Sequence, residues 1–100
     1  MTDATIVEDI VRPFVEEGVY RTEEDALRNL RNEIIEEKIE ENREEIKEFR
    51  EKYGKDFEEF TEDVKEGDTS IDKEDDWMRW EAARNMLEKW ESVQERVHAA

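Results

Sequence analysis

The chain has 100 residues, enough for one small domain or a domain with an arm. Acids outnumber bases 32 to 16, giving a formal net charge of −16, with 48% of residues charged and 35% hydrophobic. No stretch of the sequence approaches the ~18 apolar residues of a membrane span. The absence of cysteine excludes a disulfide scaffold, a thiolate metal site and a cysteine nucleophile, and three glycines with one proline leave little material for an all-β fold. No basic, apolar targeting segment opens the sequence, so a cytoplasmic location is expected. The charge is spread evenly, net −8 in residues 1–54 and net −8 in residues 55–100. Neither half has a basic patch for neutralising phosphates, so nucleic-acid binding by the free protein is not expected. A negative field of this kind speeds encounter with a basic partner, and it also confers solubility.

Asp3 is suited to cap a first helix, along which Ile6, Val7, Ile10, Val11, Phe14 and Val15 form one apolar stripe at helical spacing. Pro13 lacks an N–H and disfavours helical backbone at Arg12, which predicts a kink or a restart there. Gly18 reads as a left-handed C-cap, and Thr22 as the N-cap of a second helix with Glu23, Glu24 and Asp25 in its first turn. From Thr22 the chain meets no breaker until Gly54, a helix of about 31 residues and about 46 Å.

The apolar side of this long helix is not continuous. Ala26, Leu27, Leu30 and Ile34 lie on one side; Ile35, Ile39, Ile46, Phe49 and Tyr53 lie on another, turned by roughly 120°. One helix with two apolar faces needs two partners. Its first half is expected to pack on helix 1. Its second half carries a coiled-coil seam of Ile35, Ile39, Asn42, Ile46, Phe49 and Tyr53, which we take as a seam for oligomerisation. Asn42 fits two readings: a buried polar residue that fixes register between chains, or a half-exposed residue at the edge of an intramolecular contact. Away from the seam run two carboxylate rows, Glu33, Glu37, Glu41, Glu45 and Glu36, Glu40, Glu44, Glu48, which read as a solvated face.

Asp56, three residues before Glu59, reads as the cap of a short helix carrying Phe57, Phe60 and Val64. Residues 66–76 are polar and acidic and begin near Gly67, as expected of a mobile linker. A last helix is predicted over roughly residues 73–97, with a broad stripe of Trp80, Ala83, Met86, Leu87, Trp90, Val93 and Val97. Trp77 and Met78 fall off that stripe. Two readings follow: an arm whose tryptophans and methionines dock on another protein, or a helix folding back to bury its tryptophans on the Ile/Phe seam.

Signals of catalysis are poor. The only histidine, His98, pairs with Glu95 at Glu-x-x-His spacing, but a carboxylate di-metal site needs a second such pair and two more glutamates. Ser70 and Ser92 lack a histidine partner suited to activate them as nucleophiles, and no glycine-rich phosphate loop is present. The expectation is a non-enzyme with no cofactor and no metal.

One stretch goes beyond generic helix grammar. Gly18-Val-Tyr20-Arg-Thr22-Glu-Glu-Asp25-Ala26-Leu27-Arg28 resembles the core motif of ParD-like antitoxins of type II toxin–antitoxin systems. The resemblance implies a ribbon-helix-helix-type unit that dimerises, followed by a C-terminal arm that wraps and blocks a toxin, often a small basic ribonuclease. The chain departs from that family at its start. Met1–Thr5 is short and acidic and runs straight into helical periodicity, where the family has a β-strand that enters DNA. Operator binding is therefore not carried over.

The expected protein is all-α: a helical hairpin over residues 1–55 that dimerises, with one long central helix, then an acidic, Trp-rich helical arm over residues 56–100. As an antitoxin it would present Trp77, Met78, Trp80, Met86, Leu87 and Trp90 as apolar anchors, while Asp75, Asp76, Glu81 and Glu88 steer a basic toxin. The competing expectation is a structural helical oligomer with no toxin.

Overall fold

A computed structural model describes residues 2–67 and 70–99, with side chains from residue 6 onward. Asp68 and Thr69 of the expected linker lie outside the described residues. The described residues form four helices and no strand: α1 (Thr2–Glu16), α2 (Glu23–Tyr53), α3 (Phe57–Lys65) and α4 (Ile71–Ala99). No helix among them is long and apolar enough to cross a membrane. The chain forms two compact units, residues 1–36 and 37–100, so the division expected at residue 55 falls inside the second unit.

In the first unit, α1 begins at Thr2, which puts Asp3 inside the first turn and not at the cap. The helix neither stops nor restarts at Pro13. It continues to Glu16, because a proline so near the C-terminus removes one helical hydrogen bond and leaves only a short turn to follow. Gly18 then takes φ +78°, and two bonds close the helix: Gly18 N–H to Val15 O at 3.0 Å and Val19 N–H to Phe14 O at 2.9 Å. This pair satisfies carbonyls that the helix end would otherwise leave open. Tyr20 lies over the turn with its ring 6.3 Å from Phe14. Thr22 caps α2, its Oγ1 accepting from Asp25 N–H at 3.0 Å. Val11 and Ala26 are buried, whereas Ile6, Val7, Ile10, Phe14, Leu27 and Ile34 stay largely exposed.

In the second unit, α2 ends at Gly54, whose φ of +62° lets its N–H reach Arg50 O at 2.8 Å. Asp56 caps α3 through Glu59 N–H at 2.9 Å. The acidic stretch read as a linker through Asp76 is shorter than expected. Ser70 Oγ accepts from Lys73 N–H at 3.2 Å and starts α4 at Ile71, so Asp76 is a helical residue.

Phe49, Phe60 and Trp80 form the core of this unit, with Ile46, Tyr53, Phe57, Val64 and Trp77 packed around them. The rings meet at short range: Phe49–Trp80 at 5.7 Å, Phe60–Trp80 at 5.5 Å and Tyr53–Phe60 at 4.1 Å. The contacts Tyr53–Asp76 and Phe49–Trp80 set α2 and α4 antiparallel. Continued at steps of three and four, that register places Ala83 opposite Ile46, Leu87 opposite Asn42 and Trp90 opposite Ile39. Ion pairs flank the seam at Arg43–Glu91 (3.2 Å) and Arg79–Glu45 (3.4 Å).

Candidate functional site

The seam taken for oligomerisation is filled from within the chain over its second half. Ile46, Phe49 and Tyr53 pack with α3 and α4, because four large aromatics on those helices (Phe57, Phe60, Trp77 and Trp80) supply the apolar surface that a second copy would otherwise bring. Asn42 is half-buried, and its Nδ2 donates to Lys38 O at 2.7 Å, a bond within its own helix. Ile35 and Ile39 are buried.

The residues expected to contact a partner separate into three groups. Trp80 and Asp76 face the interior, at 1% and 7% exposure. Trp77, Leu87 and Trp90 are half-buried; Trp77 Nε1 donates to Thr61 Oγ1 at 2.8 Å, and the indole stacks on Phe57 with centroids 5.9 Å apart. Asp75, Met78, Met86 and Glu88 are exposed, and Glu81 is half-exposed. Met86 and Val93, expected on the inner stripe with Trp80, are exposed. The inner face is narrower, built from Asp76, Trp80, Ala83, Leu87 and Trp90 at steps of four and three.

Asp76 is the buried charge of the site. Lys52 Nζ donates to its Oδ2 at 2.6 Å, and Tyr53 Oη donates to the same oxygen at 2.5 Å. The Lys52 hydrogen bond first, then that of Tyr53, hold the Asp76 carboxyl below its ordinary range. Burial, reinforced by the hydrogen bond to Asp76, pushes the Tyr53 phenol up. A carboxylate with two such donors is worth retaining in a packed interior, because the charge is neutralised where it sits. Sequence reasoning placed Asp76 among the steering acids. The signal that it faces inward was its position four residues before Trp80, in step with Ala83 and Leu87.

The aromatic junction opens into a cleft of about 540 Å³ within the second unit. Ile46, Phe57, Trp80 and Leu87 form its apolar lining, and Asp56, Glu58, Glu81 and Glu88 bring four carboxyls to its walls, with Arg50 and Arg84 also present. Arg84 is already engaged: its guanidinium lies 4.3 Å from the Phe57 ring centroid and 3.2 Å from Glu58. Phe57 and Glu58 come from the start of α3, which the Asp56 cap fixes; the other walls come from α2 and α4. The cleft thus offers greasy surface flanked by carboxylates, suited to a segment carrying apolar and basic side chains.

The two carboxylate rows of α2 are exposed, apart from half-buried Glu45. Among the described residues, no group of three or more His, Cys, Asp or Glu side chains is placed to hold a metal ion. His98 lies exposed near the end of α4.

Comparison with known proteins finds no counterpart: no family model, no curated protein and no solved structure matches this chain.

Proposed function

We propose that this chain is a non-catalytic inhibitor of a basic protein, acting as an antitoxin acts on its toxin. The observation that carries the reading is the cleft of the second unit, where Ile46, Phe57 and Leu87 lie among Asp56, Glu58, Glu81 and Glu88. The Gly18–Arg28 motif and the net charge of −16 support it. In this reading the negative field of the chain speeds encounter, and the apolar lining supplies most of the affinity once the partner is seated. The toxin contacts pass through the cleft side of α4, at Glu81, Leu87 and Glu88. Trp80 lines the cleft from the core side, and the half-buried Trp77 buttresses Phe57.

Coexpression tests the proposal. The chain should relieve growth arrest caused by the product of the reading frame beside its own and should copurify with that product. The double reversal Glu81→Lys with Glu88→Lys should lose both effects while keeping the helical content of the parent. Rescue that survives the double reversal would remove the cleft from the account. Absence of both rescue and copurification with the parent chain would favour a structural oligomer.

A further inference from the structure

The outward face of α4, opposite Trp80, carries a pattern that neither the core nor the cleft uses. Ile71, Asp75, Met78, Ala82, Met86, Lys89 and Val93 follow one another at steps of four, three, four, four, three and four, and all seven are exposed. Two steps of eleven residues span the stripe, a period that keeps it on one face of a nearly straight helix. Ile71 is 77% exposed, Met78 62%, and Met86 and Val93 40% each, so the apolar positions lack a partner in the chain. The stripe is also a palindrome about Ala82. Read in either direction it gives an aliphatic residue, a charge, a methionine, alanine, a methionine, the opposite charge and an aliphatic residue.

We infer that this face pairs with the same face of a second copy, antiparallel about a two-fold axis through Ala82. Such an axis sets Met78 against Met86 of the other copy, Ile71 against Val93, and Asp75 against Lys89, while the small Ala82 lets the helices approach at the crossing point. A two-fold interface must be self-complementary, and a stripe that reverses its charge about its own centre meets that requirement. Among the described residues, neither Asp75 nor Lys89 has an ion-pair partner within the chain, as the ends of an intermolecular pair would require. The stripe spans about 33 Å of helix. A single helix pair of that length lies at the small end of specific interfaces, about 1,200 Å² or less, so the dimer dissociates on dilution through the micromolar range.

Sedimentation of the full chain with two charge reversals tests the pairing. The parent should be dimeric at tens of micromolar. Asp75→Lys and Lys89→Asp should each weaken the dimer about tenfold or more, although they change net charge in opposite directions, and the double variant should restore it. Residues 75 and 89 lie fourteen positions apart on one helix, so restoration requires contact between copies. Because the chain has no cysteine, Ala82→Cys gives an independent readout: mild oxidation should yield a single crosslinked dimer. A parent that is monomeric at 100 micromolar, single variants that dimerise as the parent does, or a double variant no better than either single would each overturn the inference.

Discussion

Removing the Trp80 side chain probes how α4 is held on α2 and α3. The residue is 1% exposed, and the rings of Phe49, Phe57 and Phe60 lie 5.5–5.7 Å from its own. An aromatic of this size takes roughly 200 Å² out of water, worth about 5 kcal/mol at about 25 cal/mol per Å². Partial collapse of the cavity brings the expected cost of Trp80→Ala to about 3–5 kcal/mol. Trp80→Phe should behave differently. The indole Nε1 is buried without an acceptor, which costs the folded state about 1–3 kcal/mol, and phenylalanine removes that penalty along with some packing. The two terms oppose each other, so Trp80→Phe should lie within about 1.5 kcal/mol of the parent. Urea denaturation followed by far-ultraviolet circular dichroism reads both variants. A loss below about 1 kcal/mol for Trp80→Ala would refute the packing of α4 described above. Equal losses for the two variants would refute the reasoning about the indole N–H.

Two further perturbations follow. Asp76 has its carboxyl held below the ordinary range in the folded state, so its contribution is complete above the unfolded value, about 3.9, and is lost as pH falls through the folded one. The stability difference between the parent and Asp76→Asn should therefore shrink on acidification below about pH 4; a difference that stays constant from pH 7 to 3 in denaturant titrations would contradict the assignment. Gly54→Ala should cost about 1 kcal/mol in a thermal melt, because the position has φ +62° while an added Cβ would meet nothing within 4 Å, leaving backbone strain as the only penalty.

Much of the helical layout was legible because it rests on local chemistry. Gly18 and Gly54 end helices by adopting positive φ, and Thr22 and Asp56 start them by accepting from the N–H three residues on. The start of α4 was placed too late because Ser70 sits in a run of acids that reads as linker, although its hydroxyl caps the helix. What covers a face depends on the partner helix, and periodicity alone is silent there. The seam of Ile46, Phe49 and Tyr53 is visible in the sequence; that α4 of the same chain folds onto it is one of two readings, and the part α3 plays through Phe57, Phe60 and Val64 is not legible there. The wheel of α4 gave a stripe too broad by Met86 and Val93, and it missed Asp76, whose burial depends on Lys52 and Tyr53 on another helix. The cleft was not legible, since its walls come from three helices.

Isothermal titration of the purified chain against the product of the neighbouring reading frame tests the central claim most directly, with the Glu81→Lys, Glu88→Lys variant in parallel. Saturable binding by the parent, weakening as salt is raised and lost in the variant, is the expected result. No heat from the parent, or equal affinity for parent and variant at low salt, would contradict the account.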